Sequence, residues 1–282
     1  MSALLRHNVT FSGNGRVPLL FAHGYGCDQH VWRFVAPAFE EHFRVVRFDY
    51  AGAGGAAPGA YDFERHGSLR GHAEDLIEIC DEAGLERPVL VAHSVATMIG
   101  VVAAGLRPEL FSRLVLVAPS PCYLNQGDYV GGFEREDIDA LLETLDSNYF
   151  SWARMMAPVV MGNADRPELA EDLGNSFCRT DPAVAHHFAR VTFLSDNRGD
   201  LPGMRVPSLV LQCRDDALAP ASVGRYLQQT LPCAQLAELQ ATGHCPHLSA
   251  PGETIEVIRQ FLAELLERDT GAQRRSAPGQ TA

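Results

Sequence analysis

A chain of 282 residues, 46% hydrophobic and 21% charged, is long enough to bury one full α/β core and too ordinary in composition to be collagenous or disordered. One domain carrying an insertion fits this length better than two small domains. The formal charge of −12 argues against nucleic acid or an anionic membrane as partner, because affinity for either rests on clustered Lys and Arg.

Near-continuous apolar runs mark the strands in chain order: residues 17–22, 43–48, 89–91, 114–117, 208–212 and 235–239. Runs of that kind belong to a covered, mainly parallel sheet. Between them, residues 68–83 place Leu69, His72, Ala73, Leu76, Ile77, Ile79 and Cys80 at helical spacing, and Thr97 to Leu106 forms a second, small-residue helix. The alternation predicts a doubly wound α/β fold. Residues 123–196 break the rhythm and read as several helices punctuated by Gly131-Gly132, Pro158, Pro167 and Pro182. They are expected to form a helical lid between core segments 1–122 and 197–269. The polar stretch 270–282 has no periodicity and is expected to be a disordered tail.

Ala92-His93-Ser94-Val95 follows the strand at 89–91 and resembles the G-x-S-x-G nucleophile elbow, with alanine at both flanking positions, Ala92 and Ala96. A serine at such a turn is either a nucleophile or a helix cap. Nucleophilic chemistry also needs a base, a carboxylate to orient it, and donors for the oxyanion. Candidate acids, Asp215 and Asp216, follow the strand at 208–212, and the candidate base His244 follows the strand at 235–239. The order Ser, acid, His is that of α/β-hydrolases, and both loops fall at the sheet's carboxyl edge. Adjacent aspartates on an extended segment point opposite ways, so only one can face the base. His247 competes with His244, which the flexible Gly243 before it favours. The loop His23-Gly24-Tyr25-Gly26 suits an oxyanion hole built from the backbone N–H groups of Tyr25 and Val95.

Other chemistries fit less well. Gly24-Tyr25-Gly26-Cys27-Asp28-Gln29 lacks the third glycine of a dinucleotide fingerprint, and Gly52-Ala53-Gly54-Gly55 lacks a P-loop lysine. His186-His187 and His244 with His247 do not have the spacings zinc sites favour, so neither metal nor cofactor is expected. Seven cysteines without a C-x-x-C pair read as reduced packed thiols, Cys245 among them. No apolar stretch approaches the roughly 20 residues of a membrane span, and residues 1–7 lack the apolar core of a secretory signal, so a cytoplasmic location is expected.

The motifs Phe21-Ala22-His23-Gly24-Tyr25-Gly26-Cys27-Asp28-Gln29, Trp32, Phe48-Asp49-Tyr50, His93-Ser94-Val95, residues 120–125, Phe193-Leu194-Ser195-Asp196 and residues 243–249 together resemble the RsbQ family. These are bacterial stress-signalling hydrolases similar to plant karrikin and strigolactone receptors, and the resemblance covers roughly residues 5–268. It implies an α/β-hydrolase core, a lid of four helices, and a small apolar pocket. The family's acid precedes a proline by four positions, which selects Asp216, with Pro220, over Asp215. The resemblance further implies slow hydrolysis of a small ester or lactone-like ligand and a signalling partner, a PAS-domain phosphatase or kinase. A ligand sensor or adaptor with slow or vestigial hydrolysis is the competing expectation. Tyr25 stands where the family commonly has phenylalanine, adding a hydroxyl at the pocket mouth. The aromatic lid makes Tyr25, Tyr123, Trp152, Met156 and Phe193 the expected substrate-lining residues.

Overall fold

The computed structural model describes residues 1–276. Seven strands, β1 (Thr10–Ser12), β2 (Val17–Ala22), β3 (Phe43–Arg47), β4 (Val89–His93), β5 (Arg113–Val117), β6 (Ser208–Asp215) and β7 (Ala234–Thr242), form one sheet in the order β1-β3-β2-β4-β5-β6-β7. All neighbours are parallel except β1, which runs antiparallel to β3. Alternation along the strands builds two cores. Leu19, Phe21, Val89, Val91, Val115, Val117, Leu209 and Leu211 face one side, whereas Leu20, Ala22, Leu90, Ala92, Leu114, Leu116 and Val210 face the other. Burial on both faces is why these strands read as unbroken apolar runs rather than alternating ones.

Around the sheet lie α1 (Ala3–Arg6), α2 (Leu69–Glu82), α3 (Val95–Leu106), α8 (Ala221–Thr230), α9 (Pro246–Ser249) and α10 (Pro251–Ser276). Residues of α2, α3 and α8 pack in the second core, and Ile258 and Leu262 of α10 pack in the first. A helical insertion of α4 (Arg135–Ser147), α5 (Tyr149–Met161), α6 (Pro167–Arg179) and α7 (Pro182–Phe193) covers the carboxyl edge. Its root is closed by an antiparallel bridge between Cys122 and Asp196 and by the Asn197 N–H, which donates to the Pro121 carbonyl at 2.8 Å.

The prolines of the insertion act differently from one another. Pro167 and Pro182 open α6 and α7 at the first helical position, where a missing N–H costs nothing. Pro158, expected as a break, lies inside α5, which continues to Met161 and ends at Gly162. Pro158 and Arg154, whose carbonyl loses its helical donor, are both exposed, so the break in the hydrogen-bond ladder falls on the solvent-facing side of α5. At the other end of the chain, α10 extends to Ser276, into the segment expected to be a disordered tail from 270. Its Ala, Gln and Arg residues are good helix formers, and extending an existing helix avoids the cost of nucleation. Residues 277–282 of that segment lie outside the described residues. Among the described residues no helix is long and apolar enough to cross a membrane.

Candidate active site

Ser94 sits where β4 turns into α3. Its N–H donates to the Val117 carbonyl at 2.9 Å, extending the ladder one residue beyond β4. The chain then reverses through φ +57° and ψ −128° at Ser94, a conformation that costs about 1–3 kcal/mol and persists only where its surroundings hold it. The side chain makes no capping bond to α3, which removes the helix-cap reading of this serine. Both flanking alanines fit this turn: Ala96 is fully buried, and Ala92, also fully buried, lies beside Ala22 of β2.

The acid and base arrive on the loops that end the last two strands. Asp215 pairs with Thr242 across β6 and β7, and the Gly243 N–H donates to the Asp215 carbonyl at 2.7 Å. The next residues, Asp216 and His244, therefore leave the sheet together. The Asp216 side chain is fully buried, whereas that of Asp215 is 65% exposed beside Arg214. His244 Nδ1–H donates to Asp216 Oδ2 at 2.8 Å, and its Nε2 accepts from Ser94 Oγ–H at 2.8 Å. The second carboxylate oxygen of Asp216 accepts from the N–H groups of Leu218 and Ala219 at 2.8 and 3.1 Å. Burial pushes the Asp216 pKa up, but the His244 charge and these hydrogen bonds outweigh it and hold the carboxyl below its usual range. His247, the competing base, lies instead between the rings of Trp32 and His93, with centroids 4.7 and 4.4 Å away.

Gly243 has to be glycine. Its φ is +82°, and a Cβ there would lie 1.9 Å from the Met161 carbonyl oxygen. This close approach lets the end of α5 grip the histidine loop: the His244 N–H donates to the Val160 carbonyl at 2.8 Å, and Asn163 Nδ2 donates to the Thr242 carbonyl at 3.0 Å.

The loop after β2 reaches the same place because β2 lies beside β4. Gly24 passes so close to the elbow that a Cβ would come within 2.7 Å of His93 Nδ1 and 3.1 Å of Ser94 Cβ. Buried His23 holds the loop, its Nδ1–H donating to the Gly24 carbonyl at 2.9 Å while its Nε2 accepts from the Tyr50 N–H at 3.1 Å. Among the described residues, neither the Tyr25 N–H nor the Val95 N–H has a protein acceptor. Val95 opens α3, where the helix dipole favours negative charge. The Tyr25 hydroxyl, expected at the pocket mouth, is tied instead to α7, donating to the Ala185 carbonyl at 3.0 Å.

A small cavity of about 30 Å³ lies above Ser94. All five expected lining residues, Tyr25, Tyr123, Trp152, Met156 and Phe193, border it. Cys27, Val160, Leu173, Phe177 and Leu218 border it too; Val160, Leu173 and Leu218 carried no sequence signal beyond being apolar. The exposed Phe150 and Met155 of the lid do not. Larger clefts, about 620 Å³ between α5 and α6 and about 670 Å³ between α2 and α7, contain none of Ser94, Asp216 and His244.

A match to the model of the alpha/beta hydrolase family spans residues 19–257. The chain belongs to that family. It is similar to the karrikin insensitive 2 receptor CA of Petunia hybrida, 40% identical over 257 residues that cover 91% of this chain and 95% of the relative. It is also similar to the strigolactone esterase D14 of Arabidopsis thaliana, 38% identical over 256 residues, 90% of this chain and 96% of the relative. The solved structure of a hydrolase from Oleispira antarctica matches with a TM-score of 0.90 at 39% identity, covering 93% of this chain and 96% of that one. The protein is therefore an esterase-type α/β hydrolase.

One group in this hydrolase escaped the reading by local spacing. His93, Cys245 and His247 are distant or unremarkable in sequence, yet an imidazole nitrogen from each histidine and the Cys245 sulfur lie within 4.8 Å of one another, all buried. Burial pushes the Cys245 thiol far above its usual range, which makes it a poor nucleophile.

Proposed function

We propose that this protein is a serine hydrolase that cleaves a small, largely apolar ester or lactone-like ligand through an acyl-enzyme on Ser94. The observation that carries the reading is His244 standing 2.8 Å from both Ser94 Oγ and Asp216 Oδ2. His244 Nε2 takes the hydroxyl proton as Oγ attacks the carbonyl, and the charge developing on the carbonyl oxygen is met by the N–H groups of Tyr25 and Val95. His244 then returns the proton to the leaving alkoxide, and the ester bond to Ser94 forms as the original one breaks. Water, deprotonated by His244, releases the acid and restores the serine. Asp216 fixes the ring so that Nε2 faces Ser94 and stabilises the imidazolium. The apolar lining and the small cavity support a compact ligand, whose entry requires the lid side chains to shift.

We further propose that hydrolysis is coupled to signalling, as in the RsbQ family, through a PAS-domain phosphatase or kinase in the cytoplasm. The relatives named as receptors support that coupling, and the described cysteines, none of them in a disulfide, support the compartment. A fluorophosphonate probe tests the chemistry: labelling of the wild type, lost in Ser94→Ala and reduced in His244→Ala, is expected, and an unlabelled wild type would sink the hydrolase reading. The coupling predicts that such a phosphatase or kinase co-purifies and that Ser94→Ala disturbs its regulation; an unchanged response with Ser94→Ala would make the chemistry incidental to it.

A further inference from the structure

We propose that His93, His247 and Cys245 form a binding site for one thiophilic cation, of the zinc or copper(I) kind, directly behind the nucleophile. The three donor atoms lie within 4.8 Å of one another, so a point exists no more than about 2.8 Å (4.8 Å divided by √3) from each. Zinc–nitrogen and zinc–sulfur bonds of about 2.0–2.1 and 2.3 Å are reached from there by side-chain movements of at most about 0.5–0.8 Å. The donor set, two imidazoles and a thiol, is the soft set such cations select over magnesium or calcium.

Three of the four ring nitrogens of these histidines are buried without a hydrogen-bond partner among the described residues. His247 is fully buried, and neither of its ring nitrogens has a hydrogen-bond partner among the described residues. A buried imidazole left that way is costly, and native proteins seldom tolerate one without a partner. His93 is 2% exposed; its Nε2–H donates to the His244 carbonyl at 2.9 Å, and its Nδ1 has no partner. A cation has a way in, because His93 and Cys245 both border the substrate cavity. On binding, the Cys245 thiol passes its proton to solvent and the sulfur coordinates as thiolate.

Two of the three ligands adjoin the machinery proposed above: His93 precedes Ser94, and Cys245 follows His244. A bound cation thus sits against the loop whose carbonyl His93 holds, and esterase turnover falls as the site fills. The binding itself does not depend on that activity.

Calorimetric titration of the full-length, reduced, chelator-treated protein with Zn²⁺ tests the site. One equivalent is expected to bind with micromolar or tighter affinity, weakened at least about tenfold by Cys245→Ser and by His247→Gln. Co²⁺ in place of Zn²⁺ is expected to give near-ultraviolet sulfur-to-metal absorption that Cys245→Ser abolishes. Circular dichroism melting establishes that each variant is folded, and Cys245→Ser, which exchanges only sulfur for oxygen, carries the test if His247→Gln does not fold. Absence of stoichiometric binding by the wild type overturns the proposal, as does binding that Cys245→Ser leaves unchanged.

Discussion

Asp216 shows how much rests on one residue of a pair. Its neighbour Asp215 is chemically identical but faces solvent, and only Asp216 is buried against His244 and held by two backbone N–H groups. Asp216→Asn keeps the volume but removes the charge that stabilises an imidazolium, so kcat is expected to fall about a thousandfold or more with the fold intact, as measured by ester turnover and circular dichroism. Spacing alone left the two aspartates open, because alternation says that they diverge but not which one turns inward. Tyr25 is a second case: the extra hydroxyl was legible, but its partner was not, since Ala185 lies 160 residues away on the lid. Tyr25→Phe is expected to lower stability by about 1 kcal/mol in urea unfolding, the usual net worth of one such bond. No change in stability would mean that the tether to α7 contributes nothing.

At the scale of elements, the site is assembled by parallel neighbours that end together. β2, β4, β6 and β7 deliver the Tyr25 loop, Ser94, Asp216 and His244 to one edge, and this was readable because each chemical residue follows an apolar run. The lid was legible as helices by default, from the lack of strands, but the ends of its individual helices were not. Pro158 looked like a terminator only because sequence does not reveal that its turn of α5 faces water. β1 and α1, at three and four residues, are too short to carry a period. The contact between the α5 end and the His244 loop was invisible for the same reason as the Tyr25 tether. It makes Gly243→Ala a sharp test: the added methyl would meet the Met161 carbonyl in a backbone region that disfavours side chains. The expected result is at least a tenfold fall in kcat/KM together with a lower melting temperature. Normal activity would show that α5 does not position the base.

For the molecule as a whole, buried histidines set the acid side of stability. Burial lowers the pKa of His7, His23, His72, His93 and His247, with His72 and His93 brought down to about 3. In the unfolded chain these groups take up protons near pH 6.5, so between pH 6.5 and about 3 the unfolded state binds more protons and stability rises with pH. For His72 and His93 the slope is about 1.4 kcal/mol per pH unit for each group. Asp216 acts in the same direction over a lower window: its depressed pKa contributes stability above about pH 3.9, which is lost as pH falls through the folded value. Urea midpoints are therefore expected to fall steadily from pH 7 to 5, above the window in which Asp216 acts; a flat profile would mean that these imidazoles are already solvated in the fold. The sequence supplied the histidines but not their burial, just as it supplied His93, Cys245 and His247 without their meeting. The central claim concerns Ser94, and steady-state hydrolysis of p-nitrophenyl acetate by the wild type and by Ser94→Ala tests it most directly. Turnover by the wild type that drops at least about a thousandfold in Ser94→Ala is the predicted result, and a Ser94→Ala protein that hydrolyses the ester as fast as the wild type would contradict it.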